Sequence, residues 1–98
     1  MEIAFTSEMI EWRGPAPFYF IPVPLEQSAQ IKSIASAITY GWGVVYTNAM
    51  ICNTTWKTTL MPKDGLYLLP IRKEFRLDLK LEEGQEIKVQ LAFDLEPR

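Results

Sequence analysis

A mainly β domain with one longer and one shorter helix is what this sequence predicts, and three observations carry it. The C-terminal run from Glu86 to Leu95 alternates apolar residues with a mostly polar set, Glu86, Lys88, Gln90, Ala92 and Asp94. Turn signals at Cys52-Asn53 and Pro62-Lys63-Asp64-Gly65 cut the middle of the chain into strand-length pieces. One stretch, 25–38, follows helical spacing over several turns. The 98 residues, 48% hydrophobic and 22% charged, suit one core, so a single domain over 1–98 is expected.

The N-terminal strand places Ile3, Phe5, Ser7 and Met9 on one face, against Ala4, Thr6 and Glu8 on the other. Ile10 and Trp12 then fall on the wrong face, which predicts a bulge or a strand end beside Met9. Residues 17–22 read as a short aromatic strand closed by Pro22 and Pro24. Pro24 suits the first helical position, where a missing N–H costs nothing. Ile31, Ile34, Ala35 and Ile38 then form the inward stripe of a 25–38 helix, with Gly41 placed as its C-terminal glycine.

Strands are expected at 43–51 and 54–61, with Asn53 as the residue suited to positive φ in the turn between them. The Pro62–Gly65 turn leads to a strand at Leu66–Leu69, completing a three-strand meander. A shorter helix is expected from about Pro70. At 3.6 residues per turn it turns Ile71, Phe75 and Leu79 to the core and sets Arg72, Arg76 and Lys80 on a neighbouring line. Glu82-Glu83-Gly84-Gln85 turns the chain into the final strand, where Ile87, Val89, Leu91, Phe93 and Leu95 face inward.

Composition narrows the chemistry. No histidine is present, which excludes imidazole metal ligands and serine–histidine or cysteine–histidine nucleophilic arrangements. Cys52 is the sole cysteine and cannot form an internal disulfide, which fits a reducing compartment. No basic-then-apolar leader and no membrane-length apolar run is visible, so a cytoplasmic protein without a membrane partner is expected. No acidic spacing matches a metal loop, and Gly41-Trp42-Gly43 lacks the pattern of a phosphate-cradling loop; neither a metal nor a cofactor is expected. Glu8, Glu11, Asp78, Glu82 and Glu83 fall on outward faces or in turns, so no catalytic residue is assigned. The net charge of −2 is uneven: residues 56–76 carry Lys57, Lys63, Arg72, Lys73 and Arg76 against Asp64 and Glu74.

Three ordered segments carry a resemblance that spans nearly the whole chain. Tyr40-Gly41-Trp42-Gly43-Val44-Val45 resembles a Gly-Trp-Gly signature, and Thr54-Thr55-Trp56-Lys57-Thr58-Thr59-Leu60-Met61-Pro62 resembles the central strand of the same family. Leu66-Tyr67-Leu68-Leu69-Pro70-Ile71-Arg72, with Gly84 downstream, resembles its C-terminal hairpin. The family is a set of small prokaryotic domains of unknown function, found alone or fused to a bacteriocin-protection (OmpD-associated) domain. The resemblance implies a small six-strand β-barrel of the double-split type, shared with swapped-hairpin transcription regulators. Cys52 and Asn53 stand where the family has turn glycines, Val44 where it has a small polar residue, and Lys80 where it has glycine. Lys80 is a less easy occupant of a left-handed helix cap.

These readings leave binding as the expected activity. Trp56 points inward and Lys57 outward on one strand, while Trp42 is placed at the barrel rim. The ligand candidates are Trp42, Tyr67 and Arg72, with aromatic rings to stack and a guanidinium to grip an anion. Lys57, Lys73 and Arg76 are the candidate basic patch. The expected function is a non-catalytic binding or accessory domain recognising an anionic or aromatic ligand, or a protein partner. Nucleic-acid binding, as in the swapped-hairpin regulators, is the alternative; it needs dimerisation and is opposed by the acidic net charge.

Overall fold

The computed structural model describes residues 1–12, 18–38 and 45–93. Its elements are β1 (Glu2–Glu8), β2 (Ile10–Trp12), β3 (Phe18–Pro22), α1 (Leu25–Ile38), β4 (Val45–Ile51), β5 (Thr54–Lys63), β6 (Leu66–Ile71), α2 (Lys73–Asp78) and β7 (Glu86–Ala92). The strands form one antiparallel sheet in the order β1-β7-β4-β5-β6-β3-β2, curled as a half-barrel. The family resemblance implies six strands; the described residues form seven, because the first breaks at Met9. Met9 stays fully buried while Ile10 and Trp12 turn outward, so the face change read from the sequence is the strand end.

Two segments join the halves of the sheet. β1 pairs with β7 while β2, its continuation, pairs with β3, so consecutive strands occupy the two ends of the order. β5 pairs with β4 through Leu60 and with β6 from Met61 onward. Both segments must bend, and the sheet curls between them. The inward side chains, among them Ile3, Met9, Ile21, Leu60, Leu69 and Leu91, form the core with Ile31 of α1.

Local chemistry places the elements, with three corrections to the sequence reading. Pro24 precedes α1, and its carbonyl accepts the first helical bond from the Ser28 N–H at 2.8 Å. Positive φ falls on Cys52 (50°), whereas Asn53 was the expected left-handed residue. Pro62 lies within β5, and the turn is the Asp64-Gly65 pair with φ of 52° and 82°, the signature of a tight two-residue hairpin. Pro70 lies within β6, and α2 begins at Lys73. Pro22, Pro62 and Pro70 each occupy a strand position paired on one edge only, where a missing N–H breaks no ladder.

α1 spans the predicted 25–38, with Ile31 buried and Ile34 and Ala35 half-buried; the Ile38 side chain, Gly41 and Leu95 lie outside the described residues. No helix among the described residues is long and apolar enough to cross a membrane.

The end of α2 answers the Lys80 question. Leu81 donates its N–H to the Arg76 carbonyl at 2.9 Å and Lys80 to Leu77 at 3.3 Å, with Lys80 at φ 54°. This is a Schellman cap with lysine in the left-handed position that favours glycine. Lys80→Gly is therefore expected to raise the unfolding free energy by about 1 kcal/mol. A urea midpoint that stays put or falls would count against strain at this position.

Candidate functional site

The sequence-predicted residues divide between the core, α2 and the outer surface. Tyr67 is buried on the inner face of β6. Its N–H donates to Ser28 Oγ at 3.1 Å, and its carbonyl accepts from the Val23 N–H at 2.8 Å. Burial pushes the Tyr67 phenol above its ordinary value near 10.0, so the ring is neutral at physiological pH. Arg72 and Lys73 are exposed where β6 passes into α2. Trp42 lies outside the described residues.

α2 is a six-residue helix with no fully buried side chain, held by aromatic contacts. Phe75 stacks on Trp56 of β5 at 4.7 Å between ring centres, tilted by 22°. Trp56 faces the core as expected, and Lys57 is exposed on the opposite face of the same strand. The Arg76 guanidinium rests 4.3 Å above the Tyr19 ring, a cation–π contact. Tyr19 in turn donates its hydroxyl hydrogen to Glu11 Oε2 at 3.4 Å. The Arg76 Nε is buried and has no hydrogen-bond partner among the described residues. Of the basic-patch candidates, Lys73 and Arg76 thus share α2, while Lys57 lies across the sheet from the Trp56–Phe75 stack. Phe75 packs inward as its helical line predicts, but its stack on Trp56 and the role of Tyr19 were not assigned from the sequence.

A second feature follows from the pleat. Cross-strand partners share a face, so the outward side of the β1-β7-β4 half is mixed: Thr6, Lys88, Gln90 and Asn48 stand among Ala4, Ala92, Tyr46 and Met50. The outward side of the β2-β3-β6 half is different. The pairs Ile10↔Phe20, Trp12↔Phe18, Phe20↔Pro70 and Pro22↔Leu68 lie there, joined by Met61 opposite Leu68. Ile10 is 41% exposed, Trp12 46%, Phe18 60% and Met61 37%. Phe20 and Leu68 are buried yet stand apart from the main core cluster. Trp12 leans toward Phe20, with ring centres 6.0 Å apart, and the Lys63 ammonium sits 3.2 Å from the centre of the Trp12 ring.

Two open grooves flank this architecture. One, of about 770 Å³, runs between Glu8–Trp12 and the Lys63–Leu66 hairpin tip, over Pro22 and Leu68. The other, of about 740 Å³, opens where the β4–β7 ladder stops at Met50↔Gln90, with Phe5, Leu79 and Leu81 among its lining residues. Neither groove is lined by Tyr67, Arg72 or Arg76. Among the described residues no group of three acidic or cysteine side chains could hold a metal ion, and Cys52 is a free, exposed thiol.

The model of a protein family, described as domain of unknown function DUF1905, matches residues 5–91. The chain belongs to the DUF1905 family. The match covers the apolar outer face, both grooves' principal walls and α2, so these are parts of the DUF1905 domain itself and not of an appended segment. No curated protein matches the chain.

Proposed function

We propose that this DUF1905 chain is a non-catalytic binding domain that takes a protein partner on the outward face of β2, β3 and β6. One observation carries the reading. The outward face of β2, β3 and β6 exposes Ile10, Trp12, Phe18 and Met61 together, whereas the outward face of the other half intersperses Tyr46 and Met50 with Thr6, Lys88, Gln90 and Asn48. Aromatic side chains carry about 150–250 Å² each. The exposed parts of these four residues therefore reach the scale of about 300–600 Å² at which patches on soluble proteins are often functional. On the same reading, the bent Glu2–Trp12 segment is the seam of a double-split barrel, since it supplies both end strands.

The test is a paired pull-down. A Trp12→Ser, Phe18→Ser chain should stay folded with a single cooperative urea transition, because neither side chain belongs to the main core cluster. It should lose partners that the wild type retains. Recovery of the same proteins by both chains would end this reading.

A second reading places a small anionic ligand at α2, favoured by the unpartnered Arg76 Nε above Tyr19, with Arg72 and Lys73 at the start of the same short helix. A thermal-shift screen would then find anions that stabilise the wild type but not Arg72→Ala or Arg76→Met. Nucleic-acid binding draws less support, because Lys57 lies on the sheet face opposite the Trp56–Phe75 stack of α2 and the 770 Å³ groove is rimmed by acids.

A further inference from the structure

We infer that the occupant of the groove between β2 and the β5–β6 hairpin tip is a positively charged protein segment bearing apolar side chains. The inference rests on the proposed partner face and adds the chemistry of what binds there. The groove's apolar surface comes from Ile10, Trp12, Pro22, Leu66 and Leu68. Its charged lining is lopsided: Glu8, Glu11, Asp64 and Glu83 against Lys63 alone, among the described residues.

The one cation is already engaged, since the Lys63 ammonium lies against the Trp12 ring at 3.2 Å from its centre. Glu11 is half-buried and accepts from Tyr19, whereas Glu8, Asp64 and Glu83 are exposed at three separate points of the wall. These carboxylates border one groove of about 770 Å³. A positive segment lying along the groove would meet all of them while burying its apolar side chains on the floor.

The charges also argue against a second copy of this chain. A twofold contact would set one acidic rim against another, and like-charge juxtaposition opposes association. The exposed apolar area is also short of the roughly 800 Å² per partner of a standard interface. Acidic surfaces such as nucleic acid or anionic lipid are disfavoured on the same grounds.

Calorimetric titration of the full chain tests this with two synthetic probes. Each has about eight residues, one alternating lysine with leucine and the other alternating glutamate with leucine, because alternation suits a partner laid along a sheet. The lysine probe should bind and the glutamate probe should not. Glu8→Lys combined with Glu83→Lys should weaken the lysine probe at least about tenfold, and Trp12→Ser should weaken it comparably. Glu8 and Glu83 are exposed, so a urea midpoint near wild type will certify the charge-reversed chain.

Equal binding of both probes, or charge reversal without effect while Trp12→Ser abolishes binding, would overturn the basic occupant and leave the partner face standing. Failure of every probe, or indifference to both sets of substitutions, would remove both. Sedimentation showing a wild-type dimer that Trp12→Ser converts to monomer would assign the face to a second copy instead.

Discussion

Replacing Met9 with alanine is expected to lower the unfolding free energy by about 2–5 kcal/mol, the range for a large buried side chain cut to a methyl. Met9 is fully buried at the junction of β1 and β2. Its N–H donates to the Gln85 carbonyl at 3.4 Å, and its own carbonyl accepts from the Gly84 N–H at 2.9 Å. The loop before β7 thus holds the backbone at the point where the chain leaves one end of the sheet and enters the other. Shortening the side chain leaves a cavity beneath a bend that both neighbouring strands depend on, and collapse is resisted because the backbone is pinned. Set against a total stability of about 5–15 kcal/mol, such a loss is large. Urea unfolding of Met9→Ala measures it, with Met9→Leu as a volume-conserving control expected to lose less than about 1.5 kcal/mol. A loss below about 1 kcal/mol for the alanine variant would show that this bend does not depend on packing.

Met9 also illustrates how far the sequence could be read. The change of buried face between Met9 and Ile10 is a local, period-two signal, and it marked the strand break without tertiary information. The β7 alternation and the α1 stripe are signals of the same kind, and both elements lie where their spacing put them. The prolines are a different case. Pro62 and Pro70 look like turn and helix starters in isolation, and only the ends of neighbouring ladders make them acceptable strand residues. Leu66-Tyr67-Leu68-Leu69 is apolar at every position, so alternation could not say which side Tyr67 faces; the Ser28 and Val23 bonds tie its backbone to the start of α1, and its ring lies in the core. Contacts such as Lys63 on Trp12 and Arg76 on Tyr19 join residues far apart in the chain. No periodicity encodes them. The apolar outer face was half visible, because Ile10 and Trp12 were seen to turn outward, but its continuation through Phe18, Phe20 and Leu68 needs the strand register.

Ser28→Ala should cost about 2–4 kcal/mol, more than any ordinary serine truncation, because it removes the middle of a relay rather than the end of one bond. Ser28 is 1% exposed in the first turn of α1. Its hydroxyl donates to the Val23 carbonyl at 2.9 Å and accepts from the Tyr67 N–H at 3.1 Å. The Val23 N–H meanwhile donates directly to the Tyr67 carbonyl at 2.8 Å. Val23 and Tyr67 thus extend the β3–β6 ladder by one residue pair, with one bond made directly and its mate carried through the serine. The inserted hydroxyl lets the chain diverge into α1 without leaving either strand group unsatisfied. Alanine would strand a buried donor and a buried acceptor together, each worth about 1–3 kcal/mol when unpaired. Hydrogen exchange separates this mechanism from a simple packing loss: the Tyr67 amide should exchange much faster in the variant, while the Val23 amide keeps its protection. If the backbone instead closed up and made the second bond directly, stability would fall by less than about 1 kcal/mol and the Tyr67 amide would stay protected. That outcome would mean that α1 is set on the sheet by its apolar face, through Ile31, and not by the serine.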